Sequence, residues 1–358
     1  MDHIAEEFAY SMQSRNVMNN NTNTNTNTNT NTNNNINNNN NNNEISNIKN
    51  SLSKIICNNV LKYSHEEYQY LHLLENIIEN GFWEEGRNGK TKSIFGSSMR
   101  FSLKNGQIPI LTTKKTAWKT CLKELLWFIR GETDNKILKD QNVHIWDLNA
   151  SREFLDSRGL TLYPEDIIGP SYGYQWRNFG ASYNCFTGKH ITDDHPFEGV
   201  DQLQEIINCL KDPSKRTSRR LIMTSWNPKQ LDQMALPPCH ILCQFNVHNN
   251  NQLSCALYQR SVDTPLGSPF NIASYSFLTH LIAKHCGLEA HEFVYFMGNC
   301  HIYENHIDSV KTQLLREPFP FPTVTIKSIK ENINDYQVED FLVEGYKSHD
   351  QIKMKMVA

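Results

Sequence analysis

Apolar residues recur at three- and four-residue spacing in four stretches of the chain. Tyr70, Leu73, Leu74, Ile77 and Ile78 run up to Gly81, and Leu122, Leu125, Leu126 and Ile129 run up to Gly131. Leu203, Ile206, Ile207 and Leu210 stop before Pro213, while Ile272, Tyr275, Leu278, Leu281 and Ile282 lead to Gly287. That period lines one face of an α-helix, and a Gly or Pro just beyond each run marks its end, so four amphipathic helices are predicted. Four shorter segments, 221–226, 241–247, 253–259 and 293–297, read as strands. The second and third alternate apolar with polar and are separated by the polar turn His248-Asn249-Asn250-Asn251, which predicts a β-hairpin. Short connections imply a sheet of mixed direction covered by helices, an α+β domain.

Residues 19–43 carry no such pattern. They form an Asn/Thr tract with almost no apolar side chains, so they cannot offset their own ordering entropy by burial and are expected to be disordered. Ile45, Ile48, Leu52, Ile55 and Ile56 return to near-helical spacing, enough for a short docking helix and too few for a second domain. The expected organisation is an N-terminal extension over 1–63 and one folded domain over 64–358. Asn-rich tracts can also drive association, which leaves a scaffold role as a competing reading.

Composition narrows the function classes. A chain of 358 residues with 38% hydrophobic content can bury a sizeable core, and its net charge of -3 argues against a general polyanion binder. Any phosphate must then be met by a local group of arginines. Nine cysteines, odd in number and without metal-like spacing, suggest reduced thiols and no metal. No run reaches the roughly 18 apolar residues of a membrane helix, and the start lacks a signal-peptide pattern, so the expected compartment is the cytosol, with the nucleus also open.

Among the thiols, Cys239 stands out. It sits in Leu236-Pro237-Pro238-Cys239-His240 and runs straight into the first strand of the hairpin. Folding that hairpin about the midpoint of its turn brings Cys239 opposite Arg260. A guanidinium beside a thiol lowers its pKa and holds an anionic substrate, which points to a nucleophile. A lone cysteine is otherwise a small core residue. A Cys/His hydrolase built on Cys239 and His240 is disfavoured, because adjacent strand residues face opposite ways. Asn271, just before an apolar run, reads in isolation as a helix N-cap.

The residues around this thiol carry a resemblance. The stretch 234–240, Gln244-Phe245, 257–263 and 267–275, with Ser93-Ile94-Phe95-Gly96, Glu124-Leu125-Leu126-Trp127-Phe128, Ile145-Trp146-Asp147, Tyr172-Gly173-Tyr174-Gln175-Trp176-Arg177 and His301-Ile302-Tyr303, resembles the folate-dependent, cysteine-nucleophile thymidylate synthase family. The match covers roughly residues 65 to 358. It implies reductive methylation of deoxyuridylate (dUMP) to thymidylate, with 5,10-methylenetetrahydrofolate as both one-carbon donor and reductant, no metal and no DNA. It also implies a homodimer whose sheets pack back to back.

Residue roles follow from the same resemblance. Cys239 is the nucleophile, and Glu124, Tyr172, Asn271 and Asp263 complete the catalytic set. Arg87, Arg260, Ser261 and Gln259 hold the nucleotide from their own subunit, with Arg219 and Arg220 reaching across from the partner, and His301 and Tyr303 hold the ribose. Ile145, Trp146, Leu236, Asp263, Leu266, Gly267, Phe270 and Ala358 line the folate site, and the apolar tail 352–358 closes over it. A carboxamide at Asn271 can accept from the ring N–H of uracil and donate to its 4-oxygen, which selects deoxyuridylate over deoxycytidylate. The chain departs from the family pattern at Asn88-Gly89-Lys90, in the lengthened loop 211–220, and at Asn299, where Asp is common. A pyrimidine hydroxymethylase of the same superfamily is the alternative. The chain is also too short for a fused dihydrofolate reductase, whose activity is expected elsewhere.

Overall fold

Residues 64–86, 88–190 and 199–356 are described by a computed structural model of the chain. The expectations for the extension 1–63, for Arg87 and for Ala358 lie outside these residues. Helix α1 spans Tyr68–Asn80 and buries Tyr70, Leu71, Leu73, Leu74 and Ile77, the stripe that the sequence spacing marks. Strands β1 (Phe82–Gly86) and β2 (Gly89–Ser102) follow, then α2 (Trp118–Ile129), α3 (Gly173–Asn178) and α4 (Gln202–Lys211). Strands β3 (Ile222–Thr224), β4 (His240–His248) and β5 (Gln252–Asp263) lead into α5 (Gly267–His285) and β6 (Glu289–Tyr303). All four periodic helices are present. The short helices Lys136–Lys139, Asp147–Ala150 and Arg152–Ser157 are too brief for a period to show.

The six strands form one sheet in the order β1-β2-β6-β5-β4-β3. Only β5 and β6 run parallel, with α5 as their crossover, and the other pairs are antiparallel. This is the expected mixed α+β architecture. One face of the sheet carries Phe101, Phe245, Leu257, Phe293 and Tyr295, all fully buried. Helix α5 lies among these core elements and is buried nearly all round, each large apolar side chain contributing about 1.5–3 kcal/mol. On the opposite face Ile222, Tyr258 and Phe296 stay 45%, 39% and 46% exposed. Tyr258 and Phe296 are direct cross-strand partners, so the apolar exposure is contiguous.

The β4–β5 hairpin has a register shift. His248 pairs with Gln252 and Leu242 with Tyr258, but His240 pairs with Gln259. The shift between His240 and Leu242 leaves Ile241 as the extra residue of a β-bulge. Beyond it, the Arg260 N–H donates to the Cys239 carbonyl at 2.9 Å.

Candidate active site

The thiol lies where the bulged end of β4 meets α3 and α5. The Cys239 N–H donates to the Tyr172 hydroxyl at 2.9 Å. Tyr172 is held in an uncommon backbone conformation, φ 34° and ψ -97°, at the start of α3. Its ring stacks on Phe128 of α2 at 4.9 Å. Close approach of the next residue explains how this is possible. A Cβ on Gly173 would sit 2.3 Å from the Phe128 carbonyl oxygen, so only glycine lets α3 lie against α2 there.

Arg260 is placed beside the thiol, as the hairpin arithmetic anticipates. Its Nε and Nη2 donate to the Pro238 and Pro237 carbonyls, each at 3.0 Å, and its guanidinium lies 5.5 Å from the Trp226 ring centroid. The expected lowering of the thiol pKa is not the net result. Burial pushes the Cys239 thiol above its ordinary value, while Arg260 and the Tyr172 hydrogen bond pull it down by less. Desolvation outweighs one nearby cation in the ligand-free site.

Glu124 projects from α2 and accepts from Trp146 Nε1 at 2.8 Å. Burial raises its carboxyl to about 7, and the Trp146 hydrogen bond works in the other direction. The Trp146 ring is edge-on to Tyr172 at 5.8 Å. Glu124, Trp146, Tyr172 and Cys239 are therefore linked side by side.

Asn271 does not cap a helix. It lies inside α5, which begins at Gly267, and its Nδ2 is 2.8 Å from His240 Nε2. Burial drives the His240 pKa down to about 4. A neutral imidazole can accept from the Asn271 amide and so fix which way the carboxamide points. His240 is a site residue that sequence reasoning weighs only as a base for Cys239 and sets aside. Its role depends on a partner 31 positions away, which no local pattern reports.

The remaining candidates fall into two groups. Gln259 accepts from the Tyr295 hydroxyl at 2.6 Å and donates to the Ser261 carbonyl at 3.0 Å. Asp263 accepts from the Leu266 N–H at 3.2 Å at the entrance to α5, one turn before Phe270. It pairs across the strands with His301, whose ring meets Tyr303 edge-on at 5.4 Å. Burial raises the Asp263 carboxyl pKa, opposed chiefly by His301. Ile145, Leu236 and Phe270 are partly buried against the core. Arg219 and Arg220 lie elsewhere. Both are exposed and precede β3, where Ile222 pairs with Gln244, five residues along β4 from Cys239 or roughly 17 Å. Among the described residues, no group of side chains could hold a metal ion and no helix is long and apolar enough to cross a membrane. Every described cysteine is a free thiol.

Comparison with known proteins matches residues 68–358 to the family model for thymidylate synthase. The chain is 49% identical over 303 residues to the bifunctional dihydrofolate reductase-thymidylate synthase of Leishmania major, covering 84% of this chain and 57% of that protein. It is 51% identical over 303 residues to the bifunctional protein of Plasmodium berghei, covering 84% and 50%. Against the thymidylate synthase of Homo sapiens it is 49% identical over 293 residues, covering 82% of this chain and 91% of that protein. The chain thus spans little more than half the length of the bifunctional relatives and nearly all of the human one.

Proposed function

The chain belongs to the thymidylate synthase family, and from that premise we propose that it methylates dUMP to thymidylate at the Cys239 site. The carrying observation is the contact chain that joins Glu124, Trp146, Tyr172, Cys239 and Arg260 in one place. Cys239 as thiolate adds to ring carbon 6 of the pyrimidine, which makes carbon 5 nucleophilic. Phosphate binding by Arg260, Ser261, Gln259 and Arg87, with Arg219 and Arg220 of a partner subunit, orients the ring for that attack. Asn271, oriented by His240, reads the uracil edge and stabilises enolate charge together with Tyr172.

Glu124, with a pKa near neutrality, can take and return protons within one cycle. His301 and Tyr303 hold the ribose. Trp146, Ile145, Leu236, Leu266, Gly267, Phe270 and Ala358 form the wall against the folate, and Asp263 faces its ring. 5,10-Methylenetetrahydrofolate supplies the one-carbon unit and then the hydride, leaving as dihydrofolate.

Two observations support a homodimer as part of this reading. The exposed stripe of Ile222, Tyr258 and Phe296 offers a sheet face for a second copy. Arg219 and Arg220 are too far along the sheet to serve Cys239 of their own chain. We place the enzyme in the cytosol. The deciding assay incubates the chain with dUMP and methylenetetrahydrofolate and identifies the folate product. Dihydrofolate supports the synthase, whereas tetrahydrofolate would indicate a hydroxymethylase and no product would refute both.

A further inference from the structure

Asn299 and His301 sit two residues apart on β6, and their side chains leave the strand on the same side. Asn299 Oδ1 lies 2.9 Å from His301 Nδ1. An amide oxygen has no hydrogen to give, so Nδ1 carries the proton in this pair. The cross-strand row places Asp263 of β5 on one side of His301 and Ser93 of β2 on the other. The Ser93 hydroxyl in turn donates to Glu84 of β1 at 2.8 Å. The charges of Lys114 and His306 also act on Asp263. The charged surroundings of this imidazole are thus two carboxyls, one lysine and one further imidazole. Burial holds the His301 pKa below the ordinary value, against the pull of Asp263, of a hydrogen bond to the Asn299 backbone and of Glu84. With Nδ1–H committed to the amide, Nε2 keeps a lone pair.

We propose that Asn299 is a positioning residue that holds His301 in the Nδ1–H tautomer, so that Nε2 accepts a hydrogen bond from the ribose 3′-hydroxyl of the nucleotide. The inference rests on the dUMP reading above and adds a direction to the contact. A carboxylate at this position would accept the same N–H yet stabilise imidazolium, turning Nε2 into a donor. The amide therefore makes the site demand a hydroxyl that can donate. A 3′-deoxy nucleotide has none, and its loss of one hydrogen bond corresponds to about tenfold in affinity.

The test uses the full chain with 15N-labelled histidine, the His301 signals being assigned by their disappearance in His301→Gln. Nitrogen shifts are read with and without dUMP, and Kd values for dUMP and 3′-deoxy-dUMP are measured across pH. The expected result is a bare Nε2 in the wild type above about pH 7 and about tenfold preference for dUMP. Asn299→Asp should raise the imidazole pKa by about one unit. A protonated Nε2 in the neutral wild-type imidazole would overturn the proposal, as would an Asn299→Asp variant whose nitrogen shifts and their pH dependence match those of the wild type. Absence of dUMP binding by the wild type would refute the nucleotide reading and the hydroxyl contact with it, while the tautomer stays readable from the ligand-free spectrum.

Discussion

Trp146 donates its indole N–H to Glu124 at 2.8 Å, opposing the burial that lifts this carboxyl to about 7. A carboxyl poised there is partly protonated at neutral pH, which suits a residue that both gives and takes a proton. The same indole is edge-on to Tyr172, so one side chain touches both the carboxyl and the tyrosine beside the thiol.

Trp146→Phe keeps the wall and removes the hydrogen bond. Because that bond favours the charged carboxylate, its loss should move the Glu124 inflection in the pH profile of kcat/KM to higher pH, by about one unit. An inflection that stays in place or moves to lower pH would show that Trp146 does not set the carboxyl.

Alkylation of Cys239 by iodoacetamide should speed up with pH and reach its midpoint above the ordinary thiol value, since burial outweighs Arg260 in the free enzyme. Arg260→Leu should push the midpoint higher still, and Arg260→Lys should restore part of the difference. Cys239→Ser should abolish turnover while keeping most dUMP affinity, measured by calorimetry. Wild-type-like turnover of that variant would remove Cys239 as the nucleophile.

The hairpin shows what the sequence makes legible and where it stops. The polar turn is local, so pairing Cys239 with Arg260 needs only the midpoint of residues 248–251. Yet the turn-proximal pairs are centred half a residue later, and it is the bulge between His240 and Leu242 that restores the pairing of Cys239 with Arg260. A bulge depends on what packs around the strand end, and no spacing rule reveals it. The same limit explains the thiol, whose pKa is set by desolvation from distant elements, and Asn271, whose partner His240 lies on another element. Helices α1, α2, α4 and α5 were readable because their apolar faces repeat over two turns or more. Helix α3, with six residues, gives the period no room, although it carries the strained Tyr172.

Mixing Arg219→Ala or Arg220→Ala subunits with Cys239→Ser subunits should recover activity absent from the latter alone. In a mixed dimer, one site then combines both defects and the other has neither. Confirmed subunit exchange without recovery would mean that these arginines do not act across an interface.

Asn271→Asp removes the amide donor to the uracil 4-oxygen and should shift preference from deoxyuridylate toward deoxycytidylate, read as the ratio of the two kcat/KM values. Since Asp cannot donate to His240, the imidazole must turn its Nε2–H toward the carboxylate. Loss of deoxyuridylate turnover with no gain in deoxycytidylate binding would sink the base-reading role.

The extra residue at Ile241 divides the β4–β5 ribbon into two frames of reference. One frame is counted from the Asn249–Asn250 tip and carries the core-facing ladder through Cys243. The other is counted from the mouth of the cleft and carries Cys239 and Arg260. Taking out Ile241 would merge the frames into one regular ladder, with Leu242 still opposite Tyr258, His240 opposite Gln259 and Cys239 opposite Arg260. A strand that kept Ile241 in regular pairing would instead set His240 opposite Arg260 and the reactive sulfur against Ser261, the wrong neighbour.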